Sequence, residues 1–91
     1  MQQTTEEKDL VKDALLFINA HRDGCYGHMV AKHLHLSDED FVVLFRKMLD
    51  EKLITLVNLP EDIVPSDEQI LDEMVVITGG YTDPRYKDIY A

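Results

Sequence analysis

The 91-residue chain has a single cysteine, only three prolines, no tryptophan and half as many basic as acidic side chains. One cysteine, Cys25, cannot close an internal disulfide, which excludes a disulfide scaffold and fits a reducing compartment. No apolar run approaches the ~20 residues of a membrane span, so a membrane-spanning helix is excluded. The segment Met1-Gln2-Gln3-Thr4-Thr5-Glu6-Glu7 holds neither a basic residue nor an apolar stretch, unlike a secretory signal peptide. A cytoplasmic protein is therefore expected. Internal repeats and low-complexity tracts are absent. Basic side chains are scarce: 9 Lys and Arg face 18 Asp and Glu, and a net charge of −9 argues against nucleic acid as the sole partner.

What is present suits one small globular domain, with 45% apolar and 30% charged residues. The charge is unevenly spread. Residues 58–73 carry six acids (Glu61, Asp62, Asp67, Glu68, Asp72 and Glu73), no base, and two prolines, Pro60 and Pro65. That composition reads as an exposed loop.

Hydrophobic spacing predicts three helices before this loop. Thr4 with Glu7 forms a potential capping box, and Leu10, Val11, Ala14, Leu15 and Ile18 then recur at helical spacing as far as Ala20. A second helix is expected over about 27–35, burying Val30, Ala31 and Leu34. Ser37 is a suitable N-cap for a third, whose apolar face is Phe41, Leu44, Phe45, Met48 and Leu49, ending near Lys52. Leu53–Val57 and Met74–Thr78 are rich in strand formers and can pair antiparallel around the acidic loop. The class is α+β. The helical core with the first strand covers 4–57, the acidic loop 58–73, the second strand 74–80, and a tyrosine-rich tail 81–91.

This order resembles the winged helix-turn-helix superfamily, whose pattern is matched by Val30-Ala31, Leu34, Leu36-Ser37, Phe41, Phe45, Met48 and Leu53-Ile54. Ile77-Thr78-Gly79-Gly80 is similar to the aliphatic-Thr-x-x-Gly that often ends the wing. Lys52 departs from the pattern, because the family usually places Gly there as a helix C-cap. The resemblance implies a third helix that enters the DNA major groove, with Asp38, Glu39, Asp40, Val42 and Val43 toward the bases and Arg46 and Lys47 one turn later. Three carboxylates at that tip repel phosphates, and only cytosine offers them a favourable base contact. The wing, commonly basic in DNA binders, is the most acidic part of this chain.

The side chains therefore point to protein contacts through Asp38, Glu39, Val42, Val43, Arg46 and Lys47, in a regulatory setting such as transcription, phage biology or host interference. Adjacent valines cannot both face one core, so either Val42 or Val43 is expected at the surface. The alternative is a dimeric DNA-binding regulator using His28, Lys32, His33, Arg46 and Lys47. A third reading, a metal-responsive sensor, draws on Cys25, His28, His33 and His35, but their spacing fits none of the common zinc patterns. No Asp or Asn is placed to orient a catalytic base, and no Gly-rich loop accompanies one, so neither an enzyme nor a cofactor is expected. Cys25 reads as a turn residue whose replacement by Ser is neutral.

In the acidic loop, Ile63, Val64, Ile70 and Leu71 are expected either to fold back on the hairpin or to form an acidic-apolar surface for a basic protein or a mimic of nucleic-acid phosphates. Ser66 and Gln69 there can cap a short helix. In the tail, Asp83 and Pro84 suit a helix start, with Tyr86, Ile89 and Tyr90 along one side, available for a homodimer or for its own domain.

Overall fold

The computed structural model describes residues 3–60 and 62–90, with side chains from Asp9 onward. The Thr4–Glu7 capping box and the Glu61 side chain lie outside the described residues. Four α-helices and a two-stranded antiparallel sheet form an α+β fold in the order α1 (Gln3–Ala20), α2 (Gly27–Leu34), α3 (Asp38–Asp50), β1 (Ile54–Leu56), α4 (Asp67–Asp72) and β2 (Val75–Ile77). Short 3₁₀ turns follow at Gly79–Tyr81 and Lys87–Tyr90.

Each boundary has a local cause. α1 buries Val11, Ala14, Leu15 and Ile18, the i, i+3, i+4, i+7 set of one helical face. His35 stops α2 by turning left-handed at φ 58°, so that its N–H bonds the Ala31 and Lys32 carbonyls. Ser37 caps α3 by accepting from the Asp40 N–H at 3.2 Å, and the acids of that first turn suit the positive end of the helix dipole. Lys52 takes the left-handed conformation (φ 62°) that glycine would adopt freely. The turn is held because the Leu53 N–H reaches back to Met48 O at 3.0 Å.

β1 and β2 pair in the register Ile54↔Ile77, Thr55↔Val76, Leu56↔Val75. The expected strands are shortened at their ends, although Thr78 N–H to Leu53 O and Val57 N–H to Met74 O, both 2.9 Å, continue the ladder. On its other side β2 meets the segment before α2, through a Tyr26↔Met74 bridge and a 2.7 Å bond from Val75 N–H to Cys25 O. β2 is thus the middle of the sheet and β1 its edge.

Phe41 and Phe45, with ring centroids 4.3 Å apart, sit at the centre of the core with Leu15, Ile18, Met48 and Leu53. Burying each such side chain is worth ~1.5–3 kcal/mol against leaving it in water.

One expectation is corrected here, and the tail takes one of its two open alternatives. The acidic stretch is not wholly an exposed loop: residues 67–72 are helix α4, with the capping box of Ser66 and Gln69 complete. Ile70 of α4 is fully buried, and α4 lies against α2 and α3 rather than back on the hairpin. The tail, in turn, lies on its own domain. Tyr86 is buried, Ile89 and Tyr90 rest on the core, and Tyr81 donates to Asn19 Oδ1 of α1 at 2.8 Å. The apolar side of the tail therefore faces its own domain. Arg85 pins the tail by bonding Asp83 and, at 2.6 Å, Glu51 at the end of α3.

Candidate interaction surface

α3 carries most of the singled-out residues, and its rotation decides which of them a partner could touch. With Phe41, Leu44, Phe45 and Met48 inward, Val42 is 7% exposed and Val43 is 60% exposed. Val42 is thus a core residue and not a contact residue. Asp38, Glu39 and Lys47 are exposed with Val43. Arg46 is half-buried, and its guanidinium bonds Asp67 of α4 and, at 3.1 Å, the Pro65 carbonyl. Its charge is therefore answered within the chain rather than offered to phosphates.

Two of the other proposed DNA contacts, His28 and His33, also make contacts within the chain. His28 Nδ1 bonds the Leu71 carbonyl at 3.1 Å, which ties α2 to α4. His33 stacks on Phe17 at 4.4 Å between ring centroids, and His21 lies on Phe17 at 4.3 Å while its Nδ1 bonds the Phe17 carbonyl. Lys32 is exposed on α2. His35 sits at the left-handed C-cap of α2. Cys25 is fully buried, and burial pushes its thiol up to a pKa of about 11, opposite to what a thiolate ligand or nucleophile requires. Its reading as an unburied turn residue is corrected accordingly. Among the described residues, no three His, Cys, Asp or Glu side chains converge as a metal site.

Beside α3 the sequence reasoning missed a groove of about 500 Å³. Its walls include Leu49 and Asp50 of α3, Ile54 and Leu56 of β1, and the loop residues Leu59, Ile63 and Val64. Ile63 is 50% and Val64 81% exposed. The one signal in the sequence was the presence of aliphatics in an otherwise acidic, proline-bearing loop. Their position beside α3 and β1 depends on α4 anchoring the far end of that loop.

No family model, curated protein or solved structure matches this chain.

Proposed function

We propose that the chain is a small, non-enzymatic winged helix-turn-helix module that acts through protein contacts in a regulatory setting such as transcription, phage biology or host interference. The order of three helices and a hairpin supports the winged-helix reading, as does the short bridge before α2. The observation that carries the protein-contact reading is the seat of α4. It lies against α2 and α3, with Val42 buried and Arg46 joined to Asp67. Those are positions that a DNA-reading third helix would turn toward the groove. The helix tip adds Asp38, Glu39 and Asp40, which repel phosphate. On α3 itself the exposed apolar residue is Val43, in a charged setting with Glu39 and Lys47.

Duplex DNA provides the test. At about 150 mM salt the protein should bind it no tighter than the ~10⁻⁴–10⁻⁶ M of non-specific association. A parallel pull-down from the native host should recover a protein partner equally with and without nuclease. A nanomolar, sequence-selective gel shift would overturn this reading in favour of a dimeric DNA-binding regulator.

A further inference from the structure

We propose that the groove beside α3 binds a free amino acid with a large apolar side chain, held as its zwitterion between Asp50 and Lys52. This goes beyond protein contact and rests on residues other than Val43, so each reading can fail without the other.

The apolar lining supplies the first reason. Ile54 and Leu56 of β1 are buried and line a cavity of about 500 Å³, within the range of sites that enclose a small ligand. Leu49, Leu59, Ile63 and Val64 border the same space, and Ile63 and Val64 stay exposed beside it. An apolar side chain seated there covers aliphatic surface that the fold leaves in water.

Charge supplies the second. Three charged residues border the cavity, and one of them is already answered: Arg46 bonds Asp67 and the Pro65 carbonyl. Asp50 and Lys52 make no ion pair among the described residues. One negative and one positive group are therefore left, two residues apart where α3 gives way to β1. A simple cation is repelled by Lys52 and a simple anion by Asp50, so each loses on one what it gains on the other. A molecule that carries both an ammonium and a carboxylate gains on both. Peptide segments fit less well, because an internal residue has neither charge and a chain end only one.

The backbone supplies the third. Lys52 is fixed in its left-handed turn, with its carbonyl accepting from the Gly79 N–H at 3.0 Å and from Thr78 Oγ1 at 3.2 Å. Asp50 is the last residue of α3. Both charges thus extend from main chain that binding does not have to order. The Thr55 hydroxyl, also in the lining, has no partner among the described residues and offers one more polar contact.

The experiment titrates the intact ¹⁵N-labelled protein with leucine, isoleucine, methionine, phenylalanine and glycine. At least one of the large apolar amino acids should move the Leu49, Ile54 and Thr55 amides in a saturable way, and glycine should not. For the amino acid that binds, the N-acetyl form keeps only the carboxylate and the amide form only the ammonium. Each should bind about fivefold more weakly than the free zwitterion. Asp50→Asn should erase the preference over the N-acetyl form, and Lys52→Gly the preference over the amide. Both variants should fold: Asp50 is exposed, and glycine suits the φ of 62°, so Lys52→Gly should raise the melting temperature. No saturable shift with any amino acid, or shifts confined to the Val43 side of α3, would overturn the proposal. So would equal binding of the zwitterion and its neutral N-acetyl amide, or preferences that survive both substitutions.

Discussion

Gly27 at the start of α2 and Ile70 of α4 meet backbone against side-chain position: a Cβ at residue 27 would lie 1.9 Å from the Ile70 carbonyl oxygen. Because the obstructing atom is main chain, no rotamer change relieves the clash. Gly27→Ala should therefore push α4 away and uncover Ile70, costing at least the ~1–3 kcal/mol of an overpacked core. The midpoint of urea unfolding should fall accordingly. Gly24→Ala, where nothing lies within 4 Å, is the control and should stay within ~0.5 kcal/mol of the parent. Equal midpoints for the two variants would mean that α4 is not seated on α2.

The adjacent valines of α3 should separate folding from binding. Val42→Asp places an unpaired carboxylate in the core and should cost roughly 3 kcal/mol or more, visible as a broadened or lost thermal transition. Val43→Asp, on the solvent side, should change stability by less than ~0.5 kcal/mol. If Val43 is the anchor, partner capture by that folded variant should drop at least tenfold, in line with the ~1.5–3 kcal/mol of one buried aliphatic side chain. Normal capture by a folded Val43→Asp protein would remove α3 from the interface.

Cys25 makes a third prediction, with a pH dependence. The folded thiol has a pKa of about 11 against an ordinary 9.0 because burial disfavours the thiolate. The folded state thus holds its proton more tightly than the unfolded state. The associated stability is fully present below pH 9 and is lost as pH rises from 9 toward 11, a change of order 2 kcal/mol. Cys25→Ser should remove this alkaline loss while lowering stability by ~1–3 kcal/mol at pH 7, because it buries a hydroxyl in an apolar site. Melts of both proteins across pH 7–11 check both signs. The native thiol should react with disulfide reagents only as fast as the protein opens.

Tyr90 predicts the opposite direction for a deletion. Its hydroxyl is buried with no hydrogen-bond partner among the described residues, and burial, then the nearby Tyr81, raise its pKa to about 12. Tyr90→Phe keeps the ring 4.8 Å from that of Tyr81 and removes only the unsatisfied group. It should be neutral or stabilising by up to ~1 kcal/mol. The hydroxyl's contribution to proton binding is lost as pH rises from 10 toward 12, so this variant should also show a flatter stability profile there. A clear drop in melting temperature at pH 7 would mean that the hydroxyl has a partner.

The elements legible in the sequence were those with a local cause. Ser37 and Ser66 capped helices where their spacing to Asp40 and Gln69 indicated. The apolar face of α3 formed as its spacing indicated, the two strands paired antiparallel, and Lys52 took the left-handed turn. What could not be read depended on contacts between distant segments. Nothing within α3 states that α4 will dock against it, and nothing near Cys25 states that its carbonyl will bond Val75. The pairing of Arg46 with Asp67 likewise joins residues whose proximity exists only once α4 has docked. The burial of Val42 was not readable for this one reason, while the exposure of Val43 followed once the rotation of α3 was set by its phenylalanines.

The central place of β2 has a consequence for incomplete chains. A strand paired on both sides hides two edges at once, so a chain that stops before Met74 leaves both β1 and the Cys25–Gly27 segment unpartnered. The helices before them depend little on distant partners and can still assemble, presenting a partly collapsed body with two sticky margins. Premature termination or a proteolytic cut that removes β2 should therefore yield a species prone to self-association rather than a merely less stable one. During synthesis, the nascent chain remains in that vulnerable state until Ile77 has emerged.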